Sequence, residues 1–287
     1  MGTVIGVVGA IGDVVEDIVV RLATPVHEAT DTAAHITRRR GGSAANVAVS
    51  LARAGHAARF IGQFGDDATG RDLLESLRGE GVDVIASFGG RTGAIIVLLD
   101  HLGERTMLTD RGACTALDHP DPSWLDGLST LHVPAYSLVE GPLARTSATL
   151  IEWAHQRNII VSVDASSSSV IRDFGVDRLF DVLVGLRPTV LLCNEREAAD
   201  LGAACLPGPL GALVTVIKKG ASPAVVLQPG ADPVDVPALR LTDVTDTTGA
   251  GDAFAAGFLT AFAAGSSPPA AAALGHESAA RAIRSLS

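Results

Sequence analysis

The 287-residue chain is predicted to fold as an α/β protein around a mostly parallel sheet. Three observations predict this class. Strand and helix patterns alternate along most of the chain, polar residues directly follow several strand patterns, and two segments break the rhythm as if they formed a second, smaller sheet. Hydrophobic residues make up 47% of the chain and charged residues 19%, a composition that excludes a disordered polymer.

The N-terminal third begins with an apolar run and then alternates helix and strand patterns. Val4–Val8 predicts a buried first strand. The elements predicted after it are a helix over Ala44–Ala54 that Gly55 ends, a strand over Ala58–Ile61 and a helix over Gly70–Gly79.

Three further strand patterns each run into a polar residue. They are Val161–Asp164, Val190–Cys193 with Asn194 after it, and Val214–Ile217 with Lys218 after it. Open α/β sheets bind ligands at the carboxyl ends of their parallel strands. Because any strand is normally followed by a polar residue, this pattern is only modest support for a ligand site at these strand ends.

Two segments show apolar alternation without a helical period. They span Asp13–Arg40 and Arg91–Asp110, and Leu102-Gly103-Glu104 in the second has the composition of a hairpin turn. We expect the two segments to pair as a small antiparallel sheet, separate from the main one.

Composition and missing motifs exclude several classes of function. The net charge of −10 argues against nucleic-acid binding, and aromatic residues at 4% argue against stacking on bases. Three cysteines without CxxC spacing favour a reducing, cytoplasmic setting. An apolar run long enough to span a membrane is absent from the sequence, and so are the P-loop, HExxH and GxSxG motifs.

The segment Asp246-Thr247-Thr248-Gly249-Ala250-Gly251-Asp252 is the strongest chemical signal. A helix follows it, because Phe254, Phe258 and Phe262 recur every four residues. Small residues at a helix N-terminus leave backbone N–H groups free to bind an anion. Asp252 in the first turn suits a general base for phosphoryl transfer, although helix capping is an equally common role for such an Asp.

A second glycine-rich turn, Gly41-Gly42-Ser43-Ala44-Ala45-Asn46, also opens a helix. Two glycines let the backbone approach a ligand closely, and the Asn46 amide can both donate and accept hydrogen bonds. Alone, the turn is equally typical of a simple strand–helix connection.

Together the two segments resemble the signatures of the ribokinase-like carbohydrate kinases, also called the PfkB family. The first signature matches residues 41–48, then Gly55 and Gly65, and the second matches residues 246–259. Weaker matches follow in the family order, and the resemblance covers residues 4–285. These weaker matches are Gly12-Asp13 with Asp17, Asn194-Glu195-Arg196-Glu197, and Lys218-Lys219-Gly220.

The resemblance implies a three-layer ribokinase-like fold with a small antiparallel β lid. Residues 1–13, 41–90 and 111–287 would form the α/β domain that binds nucleotide and substrate. Residues 14–40 and 91–110 would form the lid, which excludes water from the reaction. Since the lid joins two subunits in many relatives, a homodimer through it is a further expectation. Nucleic-acid and membrane partners are not expected.

For the reaction itself, the resemblance implies an ATP-dependent kinase of a small sugar or sugar acid. Asp252 would take the proton from a sugar hydroxyl. The turn Gly249-Ala250-Gly251 would form the anion hole for the transferred phosphoryl group. Asp17, Gly42 and Asn46 would bind the sugar hydroxyls.

Five residues would serve ATP and its magnesium ion. Asn194 and Glu197 would organise Mg²⁺ and the ATP phosphates through water. Lys218 and Gly220 would line the nucleotide site. His276 would lie near the adenine, where stacking and an ordinary helix-surface position are both open.

Potassium activation stays open. Backbone oxygens of Asp246 and Thr248 would hold a monovalent cation, but the family's usual final strand, which completes that site, has no counterpart after Arg284.

The sequence does not name the substrate. Asp164 is followed by serines rather than by the Asp-x-Asn-x-Arg pattern of many sugar-acid kinases, which weakens that assignment. Arg105 and Arg111 flank the second lid segment, where they would either meet an anionic substrate or, more commonly, be solvated.

Two other functions remain as alternatives. A nucleoside kinase would need an aromatic wall, for which Phe64, Phe88 and Tyr136 are candidates. A non-catalytic sugar-binding protein would be expected to lack the base or the anion turn, and the sequence retains both.

Overall fold

A computed structural model describes residues 6–102, 104–202, 212–242, 244 and 246–285. Within these residues the chain forms one large sheet, one small sheet and helices packed on the large one. The strands are β1 (Val7–Ile11), β2 (Val15–Leu22), β3 (Ala34–Gly41), β4 (Ala58–Phe64), β5 (Asp83–Phe88), β6 (Thr92–Leu99), β7 (Arg105–Gly112), β8 (Leu128–Pro134), β9 (Ile160–Asp164), β10 (Val190–Asn194), β11 (Val214–Lys218), β12 (Ala224–Leu227) and β13 (Val234–Val236). The helices are α1 (Ser43–Arg53), α2 (Ala68–Gly79), α3 (Tyr136–Val139), α4 (Gly141–Gln156), α5 (Ser168–Phe174), α6 (Val176–Leu186), α7 (Glu195–Leu201), α8 (Ala250–Ala263) and α9 (Pro268–Arg284).

The large sheet has nine strands among the described residues, in the order β13-β12-β11-β10-β9-β8-β1-β4-β5. Its neighbours from β11 to β5 all pair parallel. Only the edge pairs β11–β12 and β12–β13 are antiparallel. The predicted α/β class with a mostly parallel sheet is therefore confirmed, and the carboxyl ends of seven parallel strands lie along one edge.

Helices cover both faces of the large sheet, which gives the predicted three layers. One core lies under α1, α2, α8 and α9 and includes the fully buried Phe60 and Phe258. The other lies under α4, α5, α6 and α7 and includes Leu131 and Leu143. Burial of each such side chain contributes about 1.5–3 kcal/mol to stability, so the two cores hold the strand ends rigidly.

The Ala- and Phe-rich helix α8 is buried along most of its length. Its predicted aromatic stripe is confirmed, since the rings of Phe254, Phe258 and Phe262 stack at centroid distances of 6.4 and 5.7 Å. Gly265 at φ 91° ends the helix, and Ser267 begins the next, although the Ser267 side chain makes no capping bond. The packed stripe fixes the direction in which the α8 N-terminus points.

The first strand lies later than predicted, at Val7–Ile11 rather than Val4–Val8, and residues 1–5 are outside the described part of the chain. Gly9, which directly follows the predicted strand, lies in the middle of β1. A Cβ on Gly9 would stand 2.6 Å from Leu128 Cδ1, so the glycine permits close packing against β8. The other predicted elements agree with the structure to within three residues at their ends.

The two segments that broke the α/β rhythm form the small sheet, in the order β3-β2-β6-β7. The hairpins β2–β3 and β6–β7 are antiparallel, and a parallel β2–β6 pair joins them at the centre. The predicted turn at 102–104 closes the β6–β7 hairpin, where Leu99 pairs with Arg105, although Gly103 lies outside the described residues.

The small sheet has two unlike faces. The inner face carries the buried Val19 and Val97, together with Asp17. The outer face carries six aliphatic side chains in two neighbouring rows of the register: Ile18, Val20, Ile36, Ile96, Leu98 and Leu108.

None of the described helices combines the length and the apolar character needed to cross a membrane.

Candidate active site

The N-termini of α1 and α8 meet at one carboxylate, that of Asp252. Ser43 Oγ donates to Asp252 Oδ1 at 2.7 Å, and Asn46 Nδ2 donates to Asp252 Oδ2 at 3.0 Å. Gly42 (φ 100°) and Gly249 (φ 76°) occupy the N-cap positions of the two helices, in the left-handed region that glycine adopts without strain. The two glycine-rich segments singled out in the sequence are thus brought together around Asp252.

The pKa of Asp252 is raised to about 6, chiefly by burial. The hydrogen bonds from Ser43 and Asn46 favour the ionised form, while the nearby charge of Asp164 disfavours it. A carboxyl with a pKa near the working pH is ionised often enough to accept a proton and basic enough to hold one. The pKa of Asp252 meets this condition.

Arg40 fixes the orientation of the Asn46 amide. Its Nη1 donates to Asn46 Oδ1 at 3.0 Å, which leaves the Nδ2 side of the amide directed at Asp252. Because both ends of the amide are assigned by charged partners, its orientation is not ambiguous. Arg40 is the last arginine of β3, so the small sheet supports the Asp252 carboxylate indirectly.

Lys218 stands beside the anion turn. Its Nζ donates to Asp164 Oδ2 at 2.5 Å, and it lies 3.6 Å from where a Cβ on Gly251 would be. Burial acts to lower the pKa of Lys218, but the Asp164 carboxylate outweighs it, so the lysine pKa is raised. The Lys218 ammonium and the N-terminus of α8 therefore face the same space.

Asn194 and Glu197 form a reciprocal capping box at the start of α7. Asn194 Oδ1 accepts from the Glu197 N–H at 2.9 Å, while Glu197 Oε2 accepts from the Asn194 N–H at 2.7 Å. Glu197 is 2% exposed, and its pKa is raised to about 7 by burial and by Asp164, with Lys218 opposing. A neighbouring divalent cation would stabilise the ionised form of such a buried carboxyl.

The small sheet contributes Asp17 to the site. Asp17 is 7% exposed, its pKa is raised by burial, and a Cβ on Gly41 would overlap its carboxylate. Gly41 therefore permits Asp17 to lie against the backbone that leads into Gly42. Asp17, Gly42, Asn46 and Asp252 form one continuous polar wall.

Asp246 lies where the small sheet meets the large domain. Its Oδ1 accepts from the N–H and the hydroxyl of Thr248, at 2.8 and 2.6 Å. Its carboxylate also pairs with Arg39 (3.5 Å) and Arg105 (3.4 Å). Burial acts to raise the pKa of Asp246, but these partners outweigh it and the pKa is lowered. The monovalent-cation role of Asp246 and Thr248 stays a prediction.

Two predicted nucleotide residues lie apart from this group. Gly220 is exposed in the turn after β11, at φ 59°. His276 is 7% exposed, its Nε2–H donates to the Val236 carbonyl at 3.2 Å, and its ring meets Phe254 edge-on at 5.1 Å. Of the two positions left open for His276, the ordinary helix-surface one is wrong, because Phe254 and β13 enclose the ring. Its contact with adenine stays a prediction.

The structure also places the residues of the open alternatives. Arg111 is committed to Asp13 by two hydrogen bonds of 2.8 and 2.6 Å, which leaves Arg105 as the freer of the two candidate arginines. Phe64 is 1% exposed, and the Arg111 guanidinium lies over Tyr136. Phe88, 46% exposed, is the candidate that remains open to a nucleoside base.

Sequence reasoning missed Ser43, Arg39 and Arg40 as members of the site. Ser43 lay inside a recognised signature, and its position at the first residue of a helix was the available signal. The arginines gave none, because a run of three in a predicted strand does not reveal which side chain faces the cleft.

Comparison with known proteins gives a consistent result. The sequence profile described as pfkB family carbohydrate kinase matches residues 8–287. A fructokinase of Klebsiella pneumoniae is 34% identical over 254 residues, covering 82% of this chain and 80% of that protein. The fructosamine kinase FrlD of Bacillus subtilis is 30% identical over 237 residues, with coverage of 77% and 76%.

Solved structures agree on the fold. An adenosine kinase from Sinorhizobium meliloti superposes with a TM-score of 0.85 at 23% identity, covering 98% of this chain and 94% of that one. A ribokinase from Arabidopsis thaliana, complexed with ribose and ATP, gives a TM-score of 0.80 at 21% identity, with coverage of 97% and 93%. At these identities the likeness establishes the fold alone.

Proposed function

The chain belongs to the pfkB family of carbohydrate kinases, and from that premise we propose that it transfers the γ-phosphoryl group of ATP to a hydroxyl of a small sugar or sugar acid, with Asp252 as the general base. The observation that carries the proposal is the meeting of two helix N-termini at this one carboxylate, beside a glycine turn and a lysine.

Phosphoryl transfer depends mainly on positioning and charge stabilisation. In the proposed reaction Asp17, Gly42 and Asn46 hold the sugar, and Asp252 accepts the proton of the attacking hydroxyl. The turn Gly249-Ala250-Gly251 receives the negative charge of the transferred group through the N–H groups of Gly249 and Gly251, which have no partner among the described residues. The Ala250 N–H donates to the Thr247 carbonyl at 3.1 Å. The Lys218 ammonium adds a fixed positive charge on the same side.

Magnesium would be held near Glu197 and Asn194, through water, together with the ATP phosphates. Mg²⁺ normally keeps several waters and uses one or two carboxylates plus substrate oxygens, which fits a single buried Glu in the first turn of α7. When bound, the ion neutralises phosphate charge. Contacts of Gly220 and His276 with the nucleotide stay predictions, and so does activation by potassium. A cytoplasmic location also stays a prediction, from the cysteine pattern.

The test of the proposal is coupled ADP release with Mg·ATP. The panel contains neutral sugars, sugar acids, sugar phosphates and nucleosides, with and without K⁺. Turnover that depends on one sugar supports the proposal. ATP hydrolysis that no compound stimulates contradicts it, and turnover confined to nucleosides favours the alternative kinase.

Substitution Glu197→Gln separates the metal role of this residue from its capping role. Gln can still accept from the Asn194 N–H, so we expect α7 and the melting temperature to change little. Loss of the carboxylate should raise the Mg²⁺ concentration for half-maximal activity about 10–100-fold. A Mg²⁺ titration at fixed ATP measures this, and Glu195→Gln, an exposed neighbour in the same turn, is the control. An unchanged Mg²⁺ dependence would assign Glu197 to capping alone.

We also propose that residues 14–40 and 91–110 act as a lid and that its outer face joins a second copy of the chain. On that face Ile36 is 58% exposed, Leu108 57% and Ile96 38%, and together with their row neighbours they make a continuous apolar surface. Arg38 and Glu16 pair at its rim at 2.9 Å, so both charge signs are present. A two-fold axis brings one such face onto its own copy, with opposite charges facing each other.

Substitution Leu108→Glu should convert the dimer to a monomer, because it places an ionised carboxylate in the apolar interface. Light scattering on a sizing column measures the mass directly. Val184→Glu, which alters an exposed valine of α6, is the control and should leave the mass unchanged. A wild-type chain that is monomeric at micromolar concentration would contradict the interface.

A further inference from the structure

We infer that the substrate carries an anionic substituent, a carboxylate or a phosphate, and that Arg39 and Arg105 bind it beside Asp246. The inference rests on the proposed function, because it names the substrate class of the same site.

The strand register places both arginines on the inner face of the small sheet. Arg39 is paired directly with Asp17 across β2–β3. Arg105 pairs with Leu99, which in turn pairs with Arg21. Along β2, Arg21 lies four residues beyond Asp17, so Arg105 lies on the same face as Arg39 but further from Gly41. At that end a cleft of about 400 Å³ is lined by Arg21, Leu99, His101, Arg105 and Asp246. The cleft therefore continues the polar wall that begins at Asp252.

Among the described residues, which omit 243 and 245, the contacts of the two guanidinium groups are long and few. Arg39 reaches Asp17 at 3.7 Å and Asp246 at 3.5 Å, and Arg105 reaches Asp246 at 3.4 Å. A guanidinium has five N–H donors and pairs with an oxyanion at roughly 2.7–2.9 Å, often with two bonds. Arg111 on Asp13 has that tight geometry, at 2.8 and 2.6 Å. Arg39 and Arg105 thus keep donors that their present partners do not use.

Both arginines are partly exposed, and Arg105 lines the cleft. Their side chains are 32% and 37% exposed, whereas Asp246 and Asp17 are 14% and 10% exposed. Asp100 lines the cleft as well, but its carboxylate closes the hairpin by accepting the N–H groups of Leu102 and Glu104. An incoming oxyanion therefore meets the guanidinium groups before it meets the two buried carboxylates.

The two ends of the site are linked through β3. Arg39 is followed by Arg40, which bonds Asn46, which bonds Asp252. A sugar held by Asp17 would direct its reacting hydroxyl toward Asp252 and its opposite end toward Arg39 and Arg105. A hydroxyl group there would accept single hydrogen bonds from a guanidinium without carrying a charge of its own, whereas a carboxylate or phosphate would form ion pairs with both arginines.

Calorimetric titration of matched pairs tests the inference independently of turnover. The phosphate arm compares D-fructose with D-fructose 1-phosphate and 6-phosphate, and the carboxylate arm compares D-glucitol with D-gluconate. At least one anionic member should bind the wild type about 10–100-fold more tightly than its neutral counterpart. Arg39→Gln and Arg105→Gln should each reduce that ratio severalfold, while Arg157→Gln, a surface charge paired with Asp126, should leave it unchanged.

Arg105→Lys serves as a second variant, since it keeps the charge and removes the two-pronged geometry. The inference fails if no anionic compound outbinds its neutral partner, or if the Gln variants weaken both members equally. ADP release from a neutral sugar without charge preference would overturn the inference and leave the proposed function standing. Charge-dependent binding without ADP release from any compound would overturn the proposed function and leave the anion site standing.

Discussion

Asp252→Asn is expected to reduce kcat by about 10²–10⁴-fold while the protein stays folded. The Asn amide cannot take a proton from the sugar hydroxyl. It retains one oxygen that can accept from Ser43 or from Asn46. Because burial raises the pKa of Asp252 to about 6, the native fold holds the ionised carboxylate unfavourably. Its removal should therefore leave the melting temperature at pH 7 unchanged or slightly higher.

The same pKa sets the acid limb of the activity profile. Only the ionised carboxylate is a base, so kcat/KM of the wild type should rise with pH and reach half its plateau near pH 6. The linkage to stability has the opposite sign. A carboxyl whose folded pKa lies above its unfolded value favours folding when protonated, and that contribution is lost as pH rises from 3.8 through about 6.

The control for Asp252→Asn is Asp177→Asn in the first turn of α6. Both changes remove a carboxylate from the start of a helix, but Asp177 lies outside the site. Steady-state kinetics and thermal melting of the two variants separate catalysis from helix stabilisation. If Asp252→Asn melts early and keeps its kcat, the residue is a helix cap and the base lies elsewhere.

Lys218→Met is expected to damage both stability and catalysis. Asp164, 10% exposed, would be left in the sheet without its partner, which typically costs about 3–5 kcal/mol of unfolding free energy. Since the Lys218 charge opposes the raised pKa values of Asp252 and Glu197, its loss should raise both further. The acid limb of the surviving activity should accordingly move to higher pH.

Lys219→Met is the matched control, because it removes the same charge one residue later. It should change neither the denaturant midpoint nor the pH profile. The double variant Lys218→Met with Asp164→Asn should recover most of the stability, since it leaves no unpaired charge. A Lys218→Met protein with wild-type stability and an unmoved pH profile would show that the ion pair does not support the site.

The local parts of the site were predictable from the sequence. The turns at 41–46 and 246–252 are encoded by small residues followed by a helical pattern, and a few neighbouring positions suffice to recognise them. The capping box of Asn194 and Glu197 is equally local. For the same reason the elements predicted individually, apart from the first strand, lie within three residues of their predicted positions.

Contacts between residues that are distant in the sequence could not be predicted. The bonds from Ser43 and Asn46 to Asp252 join positions more than two hundred residues apart. The pKa of Glu197 is raised by burial and by Asp164 and lowered by Lys218, and these two partners come from two separate strands. In β3 only the pairing with β2 decides that Arg39 faces inward beside Asp17 and Arg38 outward. The burial of His276 likewise depends on Phe254 of α8 and on Val236 of β13, which lie outside its own helix.

The short connection between the small sheet and α1 has a consequence for protein engineering. β3 ends at Gly41 and α1 begins at Ser43, so one residue separates the small sheet from the helix whose Ser43 and Asn46 bond Asp252. A transplant of the small sheet from another kinase, made to alter substrate choice, would be joined at this point. The graft would have to include residues 41–46. A cut within them would join the small sheet of one protein to the residues of another protein at the Ser43 and Asn46 positions, which bond Asp252. Substrate choice and base alignment would therefore be exchanged as one block.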